Sequence, residues 1–182
     1  MIFQKHSLKK IVPGILMICS VTGCATTPLN VKTVESVDIS RFMGNWYVLA
    51  GRFSFLEKDV HNGLETYTWN ADQQRIDVGF TFNQGSFTGP QKSIPQKAWI
   101  YNQATHAHWK VSPLWPFKFD YLIVALDSNY QWTAIGVPDQ KYLWIMARDY
   151  KNPEATIQEA VLQLNRAGYD STQMVRVPHQ WP

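Results

Sequence analysis

The feature that most constrains the fold is an alternation of apolar and polar residues with a period of two, repeated in short runs along most of the chain. Residues 75–83 show it most clearly: Ile76, Val78, Phe80 and Phe82 alternate with Asp, Gly, Thr and Asn. Such alternation is typical of a strand with one buried and one solvated face. The predicted strands are 45–52, 64–69, 75–83, 97–102, 108–112, 119–126, 131–137 and 142–148.

The links between these strands are short and rich in turn-forming residues, as at 127–129 (Asp-Ser-Asn) and 138–140 (Pro-Asp-Gln). Eight strands joined by hairpins predict an all-β fold, either an up-and-down barrel or a sandwich. The hydrophobic fraction of 45% and the charged fraction of 17% fit a globular domain.

One helix is predicted after the strands. Asn152 is placed as its N-cap, Pro153 as its first residue and Gly168 just beyond its end. A single apolar stripe follows the helix, so we expect it to pack on the outside of the sheet. The stripe consists of Ile157, Ala160, Val161 and Leu164.

Residues 1–23 have the pattern of a secretory signal peptide, with three lysines before the uncharged apolar run 11–21. That run is too short to span a bilayer comfortably, which takes roughly 20 apolar residues. A frayed or buried N-terminal strand is the alternative. The remaining 159 residues carry 14 basic and 14 acidic side chains, so the basic patch that nucleic-acid binding requires is not expected.

Val21-Thr22-Gly23-Cys24 resembles the lipobox of bacterial lipoproteins, in which small residues precede an obligatory cysteine. The resemblance implies that Cys24 becomes the lipid-modified N-terminus and that residues 24–37 form a lipidated tether before the domain at 38–182. Ala25 stands where an Asp would signal inner-membrane retention, which implies lipid anchoring at the outer membrane, on its periplasmic face. Ordinary signal cleavage beside an incidental cysteine is the alternative. Because Cys19 leaves with the signal, the mature domain is expected to hold no disulfide.

Three motifs in the body of the chain resemble those of the lipocalin family, in the family's order. Gly44-Asn45-Trp46-Tyr47, after a predicted helical turn at 38–43, resembles the first motif, and 138–148 resembles the last strand of bacterial lipocalins and apolipoprotein D. The central segment 126–130 (Leu-Asp-Ser-Asn-Tyr) departs from the usual Thr-Asp-Tyr. The resemblance, to the outer-membrane lipoprotein branch of the family, implies an eight-stranded antiparallel up-and-down β-barrel with one C-terminal α-helix packed outside.

Gly44, Trp46 and Arg148 are the structural residues of these motifs. Trp46 can fill one end of the barrel, and the Arg148 guanidinium can stack on the indole while it bonds carbonyls of the 38–43 turn. We expect these residues to be structural and not catalytic.

Alternation, combined with the family's pattern, assigns an inward face to each strand. If Trp46 points inward, Val48 and Ala50 are expected to do so as well. The inward set is apolar and aromatic, as expected for a small-molecule site that suits an acyl chain, although the same residues could fill a solid core. The predicted ligand-binding residues are Tyr67, Val78, Phe80, Ala98, Ile100, Trp109, Val111, Tyr121, Ile123, Thr133, Ile135, Trp144 and Met146.

A few polar side chains in the inward set could hydrogen-bond a head group, namely Tyr67, Tyr121, Thr133 and Glu65. A carboxylate on this face lies either at the solvated mouth or buried and protonated, and the mouth is the expected place for Glu65.

The loop 52–62 is predicted to cross the mouth, where Phe53, Phe55 and Leu56 form a lid or contact lipid or another chain. The segment 115–117 (Trp-Pro-Phe) is predicted to be a loop packed against the rim.

His106 and His108 could share a strand face. No cysteine or neighbouring carboxylate completes the ligand set of a zinc site, so exposed hairpin histidines are favoured and no metal is predicted.

These features predict a binding protein and not an enzyme. It would bind and store or transport a fatty acid or lysophospholipid in envelope maintenance, without a cofactor, with one ligand per barrel, or per homodimer if two mouths face each other. A lipid-modifying lipocalin enzyme is an alternative, although the isomerase type uses a pocket cysteine. A tetrapyrrole or haem carrier is another, and it would need an inward histidine.

Overall fold

The computed structural model describes residues 31–181, so the predicted signal peptide and Cys24 lie outside the described residues. Over this part of the chain, a short helix α1 and eight strands are followed by a longer helix α2 and a final short strand β9. The elements are α1 (Ile39–Phe42), β1 (Gly44–Arg52), β2 (Val60–Asn70), β3 (Arg75–Gln84), β4 (Gln91–Ile100), β5 (His108–Ser112), β6 (Phe119–Leu126), β7 (Trp132–Gly136), β8 (Leu143–Ala147), α2 (Pro153–Arg166) and β9 (Val175–Arg176).

Strands β1 to β8 form a closed barrel. Each strand pairs antiparallel with the next, and β1 pairs with both β2 and β8, which joins the two ends of the sheet. The predicted eight-stranded antiparallel up-and-down barrel is therefore confirmed, with β9 added beside β1 at Ala50 and Gly51. Closure also removes the unpaired edges that promote aggregation.

Two strands are longer than the sequence predicted. Strand β4 begins at Gln91 and not at residue 97, because its polar first half, which includes Pro95, still pairs with β3. Strand β2 begins at Val60, where a register shift between His61 and Leu64 interrupts the alternation.

Helix α2 packs outside the barrel, as predicted. Ile157, Ala160 and Leu164 are buried in a second apolar cluster between the helix and the outer faces of β6, β7, β8 and β1. Asn152 occupies the predicted N-cap position, but its side chain makes no capping hydrogen bond.

Ala50 does not point inward, contrary to the prediction. The pairing of β1 with β8 shifts register between Val48 and Ala50, so that Leu49 and Ala50 both lie in the outer cluster while Val48 remains inside. A register shift of this kind reverses the faces that strict alternation assigns.

Residues 31–37 of the predicted tether contact the barrel. The Val34 amide donates to the Ile123 carbonyl at 3.0 Å, the Val37 amide donates to the Thr105 carbonyl at 2.8 Å, and Val37 is buried in the barrel interior.

Candidate functional site

One end of the barrel is closed by Trp46 and α1. Trp46 is fully buried, and its Nε1 donates to the Phe42 carbonyl at 2.8 Å. The Arg148 guanidinium lies 3.7 Å above the indole, and its Nη2 donates to the carbonyls of Arg41 and Met43 at 2.7 and 2.9 Å. The predicted stack is present, and it joins β1, β8 and α1 into a floor.

Two further residues hold this floor in place. Gly44 has φ +95°, a backbone conformation that favours glycine, whereas an added Cβ would make only an ordinary contact, 3.4 Å from Nη1 of Arg148. In the degenerate central motif, the Tyr130 hydroxyl accepts from the Asp38 amide at 2.8 Å, and its ring lies 4.1 Å below the Arg41 guanidinium. The departure from the family's usual residues therefore still leaves a contact between this motif and α1.

The structure places all the predicted ligand-binding residues on the inside of the barrel. Twelve belong to the interior apolar cluster or pack against it, and Thr133 is fully buried with its hydroxyl donating to the Ala125 carbonyl at 3.0 Å. Tyr121, Ile100 and Trp144 keep partial exposure, whereas the others are buried. Their role in ligand binding stays a prediction.

The prediction missed several interior residues. Ile76 and Phe82 are buried inside, on the same face of β3 as the predicted residues Val78 and Phe80. The alternation along β3 therefore indicates all four. Ile94 lies in the polar first half of β4, outside the predicted strand 97–102. Phe42 comes from α1 and packs edge-on against Tyr67 and Trp109.

Glu65 is buried, and the expectation that it lies at the solvated mouth is wrong. It is 5% exposed and pairs in register with Trp46, immediately above the floor. Tyr67 donates its hydroxyl hydrogen to Oε2 of Glu65, and the Tyr121 hydroxyl lies 2.5 Å from that of Tyr67. When Glu65 is ionised, the single hydroxyl hydrogen of Tyr67 goes to its carboxylate, so Tyr121 donates to Tyr67. We call Glu65, Tyr67 and Tyr121 the polar cluster.

Burial raises the pKa of Glu65 to about 7, with a smaller contribution from the negative charge of Glu57. The hydrogen bond from Tyr67 acts in the opposite direction. Burial also raises the pKa of Tyr67 and of Tyr121, so both phenols stay neutral. No salt bridge among residues 31–181 involves Glu65, and Oε1 has no hydrogen-bond partner in that part of the chain. Glu65 can therefore accept or donate a hydrogen bond near neutral pH.

The loop between β1 and β2 lies at the open end, as predicted, and contains a short 3₁₀ helix, Phe55–Glu57. Phe53 turns inward against the interior cluster, whereas Phe55 is exposed. Glu57 accepts a hydrogen bond from Trp144 Nε1 at 2.9 Å, which ties the loop to β8.

Two cavities lie outside the predicted lining. One of 770 Å³ lies beside the mouth, between the β1–β2 loop and residues 173–178, and one of 430 Å³ lies between β1, α2 and the C-terminal segment. Neither is lined by any of the predicted ligand-binding residues. Near the floor the interior is occupied by aromatic rings, because Phe42 packs against Trp46, Tyr67 and Trp109, and Trp109 stacks on Tyr121.

The four histidines among residues 31–181 lie outside the interior apolar cluster. His108 Nε2 contacts Asp120 Oδ1 at 2.6 Å, whereas His106 contacts the Val37 carbonyl, so the two rings have different partners. His179 Nε2 contacts the Val48 carbonyl at 2.8 Å, and His61 packs against Phe87. Within residues 31–181, no group of three or more His, Cys, Asp or Glu side chains could hold a metal ion.

The segment 115–117 forms a loop, as predicted, but does not pack against the rim. Trp115 and Phe117 are exposed, together with their neighbour Leu114.

A single closed barrel with eight strands, a plugged floor and an apolar interior defines the class of small up-and-down barrel proteins. Within that class the chain belongs to the lipocalin family, because the family's lipocalin-like domain matches residues 37–179. The resemblance read from the three sequence motifs is thereby confirmed.

The relatives agree with this assignment. The chain is 27% identical over 171 residues to the outer membrane lipoprotein Blc of Vibrio cholerae, covering 91% of this chain and 97% of that protein. It is 29% identical to the protein of the same name from Escherichia coli (86% and 89% covered) and to temperature-induced lipocalin-1 of Arabidopsis thaliana (84% and 85% covered).

Solved structures show the same fold. Insecticyanin from Manduca sexta matches with a TM-score of 0.62 at 14% identity, covering 82% of this chain and 85% of that one. Apocrustacyanin C2 matches with a TM-score of 0.61 at 11% identity, covering 77% and 78%.

No helix in residues 31–181 is long and apolar enough to cross a membrane.

Proposed function

We propose that the barrel is a carrier for a single-chain amphiphile, a fatty acid or a lysophospholipid, and not an enzyme. The observation that carries the proposal is the composition of the interior. Among the buried residues that the structure describes, Glu65 is the only one with an ionisable carboxyl group, and it is surrounded by aromatic and aliphatic side chains. An apolar lining with a few convergent polar groups is typical of a small-molecule site, and each buried methylene of a tail contributes roughly 0.8 kcal/mol.

The two ligand classes would use the polar cluster differently. The cluster lies beside the floor, so it suits a compact polar end, such as a carboxyl group that enters first and shares a proton with Glu65. The larger head group of a lysophospholipid would stay at the mouth, with the tail inside.

We further propose that Cys24 carries the lipid anchor and that the protein works at the periplasmic face of the outer membrane, where it stores or transports lipid in envelope maintenance. The names of the relatives from Vibrio cholerae and Escherichia coli, both outer membrane lipoproteins, support this location.

Lipid extraction from the purified protein, followed by mass spectrometry, tests the proposal. We expect one amphiphile per barrel, and saturable binding when a delipidated sample is titrated. If nothing lipidic co-purifies and no fatty acid or lysophospholipid binds, the proposal is wrong.

The variants Glu65→Gln and Tyr121→Phe then separate the two ligand classes. If a fatty acid binds with its carboxyl at the cluster, both variants weaken it and leave lysophospholipid binding close to wild type. Thr81→Ala changes a side chain on the other face of β3 and is the matched control.

A further inference from the structure

The loops at the two ends of the barrel differ in polarity. The chain enters β1 at the floor, so the β1–β2, β3–β4, β5–β6 and β7–β8 connections all lie at the open end. The connections at the closed end are mostly polar, as at 71–74 (Ala-Asp-Gln-Gln) and 127–131 (Asp-Ser-Asn-Tyr-Gln). Tyr101, in the β4–β5 connection, is the one large side chain of these closed-end connections that is mostly exposed, whereas the open end carries several large apolar ones.

These side chains are exposed to a degree that is unusual for aromatic residues. Phe55, in the β1–β2 loop, is 87% exposed, and Trp115, in the β5–β6 loop, is 74% exposed. The two loops are separated by half of the barrel's circumference, so they flank the mouth on opposite sides. We call the large apolar side chains at this end that are more than half exposed the apolar rim, which consists of Phe55, Leu114, Trp115, Phe117 and Phe119.

Charged side chains of both signs accompany the rim, since Glu57, Asp59 and Asp139 lie in loops that also hold lysines. Lys58 and Lys118 lie in the β1–β2 and β5–β6 loops, Lys92 lies at the start of β4 and Lys141 lies before β8. None of the salt bridges within residues 31–181 uses these four lysines. Exposed Trp and Phe with lysine beside them match the interface of an anionic bilayer, where rings bury at the level of the head groups and lysines contact phosphates.

We propose that the apolar rim docks on the surface of a phospholipid bilayer that contains anionic lipid, with the mouth of the barrel facing the membrane. Docking buries aromatic area that otherwise faces water, and it opens the barrel toward the phase in which amphiphiles reside. The proposal goes beyond lipid carriage, because the rim can dock whether or not the barrel holds a ligand.

Quenching of tryptophan emission by brominated lipid tests the proposal. The purified full chain is added to vesicles of phosphatidylethanolamine and phosphatidylglycerol whose acyl chains carry bromine near the head group. Trp115 is the most exposed of the eight tryptophans, all of which the structure describes. We expect Trp115→Phe to lower the amount of emission that the brominated lipid quenches by about twofold or more, since an interfacial indole lies close to these bromines.

Two variants complete the test. Phe55→Ser combined with Phe117→Ser keeps every tryptophan, and we expect it to reduce quenching to a similar extent because the rim no longer inserts. Trp69→Phe removes the next most exposed indole, at the closed end, and should leave quenching unchanged. Thermal melts check that each variant folds.

Three results would overturn the proposal. The first is wild-type emission that the brominated vesicles do not quench. The second is equal loss of quenching in Trp115→Phe and Trp69→Phe. The third is protection of Trp115 from both brominated lipid and aqueous iodide in a sample that sediments as a dimer, which would show that a second copy covers the rim. Lipid extraction and titration test the carrier function separately, so a negative result for membrane docking would leave the carrier function untouched.

Discussion

Trp46→Ala should destabilise the barrel strongly, because the indole is the centre of the floor. The substitution removes a fully buried ring, its hydrogen bond to the Phe42 carbonyl and the surface on which Arg148 stacks. Truncation of a buried large aromatic costs about 3–5 kcal/mol. For a chain of this size each kcal/mol lowers Tm by about 2–4 °C, so we expect a fall of roughly 6–20 °C. A circular-dichroism melt that shifts by less than about 2 °C would refute the structural role of the floor.

A pair of conservative variants separates the floor contacts from simple burial. Trp132 is also buried, but its Nε1 has no hydrogen-bond partner within the described residues. Replacement by Phe removes an unpaired donor at Trp132, whereas at Trp46 it removes a paired donor and weakens the stack. Trp46→Phe should therefore cost about 1–3 kcal/mol more than Trp132→Phe. Equal costs would contradict this explanation.

Three further predictions concern single residues. The folded-state pKa of Glu65, about 7, lies above its ordinary value of 4.5, so its contribution to stability is full below pH 4.5 and is lost as pH rises through 7. Urea titrations should show that the free energy of unfolding declines by about 3 kcal/mol between pH 4.5 and 7, and Glu65→Gln should remove this decline. A pH profile that the substitution leaves unchanged would contradict the buried site. Gly44→Ala should lower the unfolding free energy by about 1–2 kcal/mol in the same titrations, because φ +95° strains a residue with a Cβ, and an unchanged midpoint would contradict that. Cys24→Ser should release a folded protein from membranes, and fractionation that still finds it with outer membranes would rule out the anchor.

The topology could be predicted from the sequence because strand alternation and hairpin links are local signals. Residues 75–83 illustrate this, since every apolar residue of that run is buried inside the barrel. The stack of Arg148 on Trp46 also followed, because the family motifs place both residues at the same end of adjacent strands.

Glu65, Ala50 and the first half of β4 could not be placed from the sequence. The burial of Glu65 depends on Tyr67 and Tyr121, and Tyr121 comes from a strand 54 residues further along the chain. Ala50 faces outward because of a register shift against β8, which no local pattern shows. Residues 91–96 pair with β3 even though their composition is polar, because a strand at the mouth has little apolar surface to bury.

The most direct test of the carrier function is a lipid titration of inward and outward variants, followed by tryptophan emission. Ala98 is fully buried on the inner face of β4, and Ala98→Trp fills the interior beside Val111. Thr81→Ala changes the other face of β3. We predict saturable binding of a long-chain fatty acid or lysophospholipid to wild type and to Thr81→Ala, with affinity that rises as methylenes are added, and a loss of about tenfold or more in a folded Ala98→Trp protein. Equal effects of the two substitutions, or no binding to the folded wild-type barrel, would contradict a lipid site inside it.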